Sequence, residues 1–276
     1  MVRKPGRNEM TWSLYQVSLR ILSPIHIGWK KTGNLQQTRS YVTGKTLWGA
    51  LTARLVRDDG GTNYPEIGKS VDDTLRFTYF YPTTNPDKVE IWPWGNPSEF
   101  SWLYLGSYPS TALSGKTAEE GSLHETECIS PKTRSGEQVY LIGYTIEKEG
   151  CNLHWQDALQ RIQLGGERGY GWGRVELVKK PEQCDKCFGY RFDCTKEYPI
   201  ITVPKDGHTL AHTLAEGLEL IGTIEPFVGR ETSKEKDFGG VISVVDICWV
   251  PGSIVNEYKT FEIQPKGLWH YKGRWC

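Results

Sequence analysis

The stretch Leu164–Leu177, LGGERGYGWGRVEL, gathers five glycines, two arginines and two aromatic rings in eleven residues before it turns apolar. Glycine permits positive φ and lets another backbone come close. Arginine pairs with anionic oxygens through a planar fork. Together these residue types suit the cradling of phosphate. The spacing excludes one familiar version of that chemistry. Gly169, Gly171 and Gly173 give G-x-G-x-G rather than G-x-G-x-x-G, and Arg174 to Val178 then alternate as a strand would. A phosphate seated on a helix N-terminus is therefore not expected. The other use of the same residues is a glycine-rich hairpin tip.

A second chemical candidate is CDKCFGYRFDC, with Cys184, Cys187 and Cys194. A C-x-x-C plus a third thiol suggests structural zinc, with His208, His212 or Cys151 as the fourth ligand. The alternative is free thiols in a hairpin, since a second C-x-x-C is missing. No Ser-His-Asp order, H-E-x-x-H or Walker loop occurs.

Net charge is zero over 276 residues, but it is unevenly spread. Residues 1–57 hold ten Lys or Arg against one acid, Glu9, an excess of nine positive charges that the rest of the chain cancels. Such a face suits a polyanion without making the whole molecule adhesive; the plainer reading is a solvated surface. An apolar content of 38% supports a folded core, and no apolar run reaches membrane-spanning length. Seven cysteines, an odd number, with no secretory signal point to a reducing cytoplasm.

The elements that must position these residues follow from periodicity. In residues 12–22, Tyr15, Val17, Leu19 and Ile21 fall on one face and Gln16, Ser18 and Arg20 on the other, a half-buried strand. Leu47, Leu51 and Leu55 repeat at helical spacing over residues 46–56, with Thr46 or Thr43 as cap. Residues 76–81 and 137–147 read as strands. Trp155, Ala158, Leu159 and Ile162 mark an amphipathic helix over 153–163, and 174–178 a closing strand. The order β-α-β-β-α-β predicts an α+β, ferredoxin-like (RRM-like) split βαβ domain over 1–180. RNA-recognition modules with this plan present an open sheet face to single strands. An aromatic- and proline-rich insertion at about 60–125 includes Trp92, Trp94 and Trp102. It offers either a partner interface or a pinned loop. Residues 181–276 read as a β-rich extension or degenerate second half. Strands are expected in PIITV, LELIGTI and VISVVDICWV, a short helix near 209–216, and a charged loop over 227–237.

LSPIHIG (22–28), YVTGKTLWGAL (41–51), ECISPKTRSGEQVYLIGYTI (127–146) and LGGERGYGWGRV (164–175) together resemble the RAMP superfamily of CRISPR-associated proteins, across about residues 12–178. Thr43 stands where that family usually has proline. The resemblance implies binding of CRISPR RNA. The family's target-cleaving backbone subunits carry an aspartate in the loop after the first strand, whereas Gly28 to Tyr41 holds no acid here. Its precursor-cutting endonuclease keeps the glycine loop near the C-terminus, whereas about a hundred residues follow it here. The resemblance is therefore nearest to the Cas-five-type subunit of type III effector complexes. That role implies holding the repeat-derived 5′ tag of the guide RNA, beside a large subunit and a backbone RAMP subunit. The expected RNA contacts are Gly166, Arg168, Gly169, Gly171, Gly173 and Arg174 for backbone and Tyr170 and Trp172 for bases. Lys30, Lys31, Arg39 and Lys45 are expected to line the adjacent loop and helix start. Packing beneath the loop is the other reading of the two rings. No catalytic residue is expected; the alternative is a metal-independent endoribonuclease using His26 with Tyr41 or Lys45.

Overall fold

A computed structural model describes residues 12–88, 97–233 and 236–273. Arg3, Lys4, Arg7, Trp92 and Trp94 lie outside the described residues. The opening alternation becomes β1 (Trp12–Ile21). A hairpin of β2 (Gly28–Thr32) and β3 (Leu35–Thr38) leads to α1 (Gly44–Asp58). Thr43 caps α1, its hydroxyl accepting from the Thr46 amide. Then come α2 (Tyr64–Thr74), β4 (Leu75–Phe77), β5 (Tyr81–Thr83), α3 (Pro97–Tyr104) and β6 (Leu105–Ser110). A small pair, β7 (Leu113–Ser114) and β8 (Thr117–Ala118), precedes β9 (His124–Ile129) and β10 (Tyr140–Lys148). α4 (Trp155–Leu159), β11 (Val175–Leu177) and β12 (Glu182–Gln183) follow.

The first sheet runs β11-β1-β10-β4, with every neighbouring pair antiparallel; β12 also pairs β1 and β5 pairs β10. Val17, Leu19 and Ile21 of β1 face Leu47 and Leu51 of α1 and Trp155, Ala158 and Leu159 of α4 in one core. A second sheet, β2-β3-β9-β6, stands beside it.

The later residues form β13 (Lys186–Cys187), β14 (Tyr190–Asp193), β15 (Ile200–Val203), β16 (Thr213–Leu214), β17 (Ile224–Ser233), β18 (Lys236–Trp249), β19 (Lys259–Ile263) and β20 (Trp269–Tyr271). They join in an eight-stranded sheet ordered β13-β14-β15-β19-β20-β16-β18-β17. The molecule is thus a mixed α/β, sheet-rich structure.

The far face of the first sheet is not open. Trp12 and Leu14 of β1 and Tyr144 and Ile146 of β10 pack with Phe188, Ile201, Val203, Phe261 and Trp269 in a second core. The later sheet covers the surface that an RNA-recognition module would leave to solvent.

Several local expectations are corrected. The strand over 76–81 breaks at Thr78–Phe80, because Val42 and Phe80 exchange both backbone hydrogen bonds and pull the chain aside. β4 and β5 nevertheless lie within the span assigned to the aromatic insertion and belong to the first sheet. The 153–163 helix stops at Leu159. Gln163 must be extended to bridge Arg174, and the Leu164 amide donates to the Gly173 carbonyl. No helix forms near 209–216, where Thr213–Leu214 is β16. The expected loop over 227–237 is largely hairpin, and LELIGTI is mostly irregular. Among the described residues no helix is long and apolar enough to cross a membrane.

The two halves meet most tightly at the start of α1. A Cβ on Gly44 would stand 2.7 Å from the Lys266 carbonyl oxygen and 2.9 Å from that of Phe77, so backbone packs on backbone there. Gly44→Ala is expected to destabilise the protein by about 2 kcal/mol through overpacking, read as a lower midpoint in urea unfolding.

Candidate nucleic-acid interface

The glycine loop is built on the turn that follows β1. The Gly166 amide donates to the His26 carbonyl at 2.9 Å and the Gly173 amide to the Pro24 carbonyl at 2.7 Å. The Arg174 amide donates to the Ser23 hydroxyl at 2.9 Å. Two glycines make this contact possible. Both have left-handed φ (Gly165 79°, Gly173 82°). A Cβ on Gly165 would overlap the His26 carbonyl oxygen, and one on Gly173 that of Leu164. Gly169 and Gly171 meet nothing and lie at the open tip, around a short 3-10 turn at Arg168–Tyr170. The five glycines therefore divide between docking the loop and leaving its tip bare.

The idea that successive amides face a phosphate needs correction. Gly171 donates to the Arg168 carbonyl and Gly173 to that of Pro24, so both are consumed. What the tip offers is side chains. Tyr170 is 85% exposed. Arg168 and Arg174 are exposed, and among the described residues neither side chain has an ion-pair partner. Trp172 is half-buried and meets Tyr108 of β6 edge-on, ring centroids 5.4 Å apart.

Lys30 and Lys31 are exposed on β2, and Lys30 lies over the Trp29 ring at 4.2 Å. Lys45 is partly buried, its ammonium 5.4 Å from the Trp48 ring centre. Arg39 is removed from the set of free cations. It pairs with Glu225 of β17 at 2.5 Å and also donates to the Tyr41 hydroxyl at 3.3 Å. Glu225 accepts from the Trp29 indole at 2.9 Å and from His212 Nε2 at 2.7 Å. His212 Nδ1 in turn meets the Tyr79 hydroxyl at 2.6 Å. Burial pushes the Glu225 carboxyl up, but His212, the Arg39 charge and the Trp29 bond outweigh it and bring it down to about 2. Burial lowers His212.

The basic excess is correspondingly smaller than its count. Arg20 pairs with Glu176, Arg54 with Asp58 and Arg39 with Glu225. Partners more than a hundred residues away neutralise two of these three.

His26 is buried, with Nδ1 2.7 Å from the Glu127 carbonyl oxygen. A carbonyl cannot donate, so Nδ1 carries the proton and the lone pair of neutral His26 sits on Nε2, on the side of Gly28. Tyr41 is buried, stacked on Tyr79, and its hydroxyl is pushed up to about 12 by burial. It keeps its proton near neutral pH, and the Arg39 guanidinium donates to its oxygen.

The zinc candidates do not converge. Among the described residues no three His, Cys, Asp or Glu side chains gather as a metal site. Cys187 is packed in the second core among Leu14, Tyr144 and Phe188, and burial raises its thiol. The Cys184 thiol points at the Leu14 and Lys186 carbonyls. His208 Nδ1 meets the Gly252 carbonyl, His212 belongs to the Glu225 network, and Cys151 packs beside the first core.

Sequence reasoning missed Tyr108, Trp29 and Glu225. Tyr108 was submerged in an aromatic-rich insertion, and Glu225 carries no local signal at all.

The sequence model of the RAMP superfamily matches residues 18–176. No curated protein matches the chain. Among solved structures, the chain is similar to one in the cryo-EM structure of the type III-B Cmr-beta bound to cognate target RNA and AMPPnP, state 1. There the TM-score is 0.48 and the identity 15%, over 87% of this chain and 85% of that one. In the cryo-EM structure of the type III-B Cmr-beta bound to cognate target RNA, the TM-score is 0.47 and the identity 14%, over 87% and 86%.

Two outcomes follow from the geometry. Gly173→Ala is expected to destabilise by about 2 kcal/mol or more, through overlap and a left-handed φ, while Gly169→Ala leaves the melting temperature unchanged. Thermal melts of the two variants check this. The buried carboxylate sets an acid dependence. Glu225 titrates below its ordinary 4.5, so its contribution is present above pH 4.5 and is lost as pH falls towards 2. His212, also lowered, removes stability as pH falls below its ordinary 6.5. Glu225→Gln is expected to cost about 2 kcal/mol at pH 7, because it leaves the part-buried Arg39 guanidinium without its anion. Urea unfolding from pH 7 to pH 3 should show a flatter slope below 4.5 for this variant than for wild type.

Proposed function

We propose, from the premise that this chain belongs to the RAMP superfamily, that it is a non-catalytic RNA-binding subunit of a CRISPR type III effector complex. Its task on this reading is to hold the repeat-derived 5′ tag of the guide RNA and to dock a large subunit and a backbone RAMP subunit. The observation that carries the reading is the glycine loop, anchored by its backbone to the turn after β1 while Arg168, Tyr170 and Arg174 stand exposed at its tip. Exposed arginine, lysine and tyrosine are what a single strand requires: cations for phosphates, rings for bases. Lys30 and Lys31 extend the positive surface onto β2. The antiparallel order of the first sheet, with α1 and α4 sharing one core with it, supports a ferredoxin-like split βαβ reading of that half.

Docking is supported by the β17–β18 hairpin. Val228 pairs Val245 and Pro226 pairs Ile247, so these residues share a face. Val228, Val245 and Ile247 are 48%, 63% and 54% exposed, and Ile224 extends the patch. An apolar strip of this kind fits a protein neighbour better than water.

A second reading is favoured by one observation, the Nε2 lone pair of His26 beside the loop, which is where a general base for a ribose 2′-hydroxyl is wanted. Its suggested partners are engaged otherwise: Tyr41 is buried with Arg39 and Tyr79, and Lys45 lies over Trp48.

The test is binding of labelled single-stranded repeat RNA across ionic strength, with the same samples analysed for cleavage in chelator and in Mg²⁺. Log affinity should fall against log salt by about 0.7 per phosphate contact, and Arg168→Ala should lower that slope by about one contact. Arg57→Ala, in the last turn of α1, should leave it unchanged. Intact RNA is expected throughout. A salt-independent affinity contradicts the reading, and a discrete product lost in His26→Ala establishes the endoribonuclease instead.

A further inference from the structure

The row of residues that crosses the β2-β3-β9-β6 sheet at Tyr108 has no role so far. Register places Tyr108 opposite Thr126, Thr126 beside Gln36, and Gln36 opposite Lys31. Paired residues share a face, so one row runs from an aromatic ring on the β6 edge to a lysine on the β2 edge; Thr126 in its middle is buried, and the exposed members are the two at the edges, Tyr108 and Lys31. Three strand spacings make it about 14 Å long. The acids of β9, Glu125 and Glu127, alternate onto the opposite face and leave this row without a carboxylate.

Tyr108 is the point where this sheet meets the glycine loop. Its ring stands edge-on to Trp172 at 5.4 Å, yet it remains 49% exposed. A tyrosine serving only to pack would bury its ring; this one is fixed by a neighbour and still offers half its surface. The contact leaves two rings at an angle beside the exposed tip that carries Arg168 and Tyr170. A base needs such a setting: an aromatic surface held in place by its neighbours, with cations on the flank for the backbone.

We infer that Tyr108 is a base-stacking residue for single-stranded RNA, contacted where the strand leaves the glycine loop. The inference rests on the RNA-binding reading above. It also places the base contact at the β6 edge of the small sheet and not on the first sheet, whose far face is covered by the later one.

The experiment separates base from backbone. Affinities of wild type, Tyr108→Ala and Tyr108→Phe are measured for a twelve-residue oligouridine and for an abasic oligoribonucleotide of equal length. Both probes carry the same phosphates. Stacking is tolerant of sequence, so oligouridine suffices as the base-bearing probe. Wild type should prefer oligouridine by about tenfold or more, in line with stacking contributions to single-strand binding. Tyr108→Ala should lose most of that preference by weakening oligouridine alone, with abasic affinity unchanged and the circular dichroism melt intact. Tyr108→Phe, which keeps the ring, should behave as wild type. An equal loss on both probes, or a preference unchanged in Tyr108→Ala, overturns the inference while leaving RNA binding in place. A wild-type protein that binds neither probe overturns the RNA-binding reading itself, and this inference with it.

Discussion

The interface depends on one close approach. The glycine loop lies against the Pro24–Ile27 turn at a separation that leaves no room for a Cβ at Gly165, and its own two ends close so tightly that a Cβ on Gly173 would overlap the Leu164 carbonyl. Hydrogen bonds from Gly166 and Gly173 to the His26 and Pro24 carbonyls fix it there. That contact sets where β11 begins, and through it the pairing of β11 with the end of β1. It also explains why the helix before the loop is only five residues long: the chain must be extended again at Gln163. With both ends of the loop held, its tip can be short of contacts without being disordered. Tyr170 is exposed because the geometry leaves it nowhere to pack.

The second organising fact is that the later sheet uses the far face of the first one as its own core wall. Trp12, Leu14, Tyr144 and Ile146 are shared between the two halves. At the margin of this junction lies a charged network in which Glu225 is held ionised by His212 and Arg39 and also grips Trp29. Such a part-buried network contributes position more than net stability, since its charges have lost much of their water. Here it ties the β2–β3 hairpin, which carries Lys30 and Lys31, to β17 of the later sheet. The cations on the outside of the hairpin are thus placed by an anion beneath it.

The parts of this architecture legible in the sequence were the locally encoded ones. The alternation of Tyr15, Val17, Leu19 and Ile21 marked the core-facing side of β1, Thr43 was one of the two caps offered for α1, and Trp155, Ala158 and Leu159 marked the buried face of α4, although Ile162 reaches the same core from beyond its end. The unusual composition of the loop marked a special backbone, although not which glycines do what. Gly173 and Gly169 look alike in sequence and differ only in what stands beside them. The misreadings share a cause. Arg39 looked like a surface cation because its partner lies 186 residues away. Cys184 and Cys187 looked like ligands because spacing cannot show that one thiol is buried in an apolar core. Tyr108 was overlooked because its meaning comes from Trp172, a distant residue beyond β9, β10 and α4, and not from its neighbours in the chain.

The central claim is that RNA runs over the glycine loop and Tyr108 at the edge of the four-stranded sheet and not over the later sheet. Ultraviolet cross-linking of bound single-stranded RNA, followed by mass spectrometric mapping of the modified residues, tests it most directly. The account predicts adducts on Tyr170, Trp172 and Tyr108. Adducts confined to Tyr258 and Tyr271, which line a lysine-bearing cleft on the later sheet with Lys196 and Lys272, would contradict it.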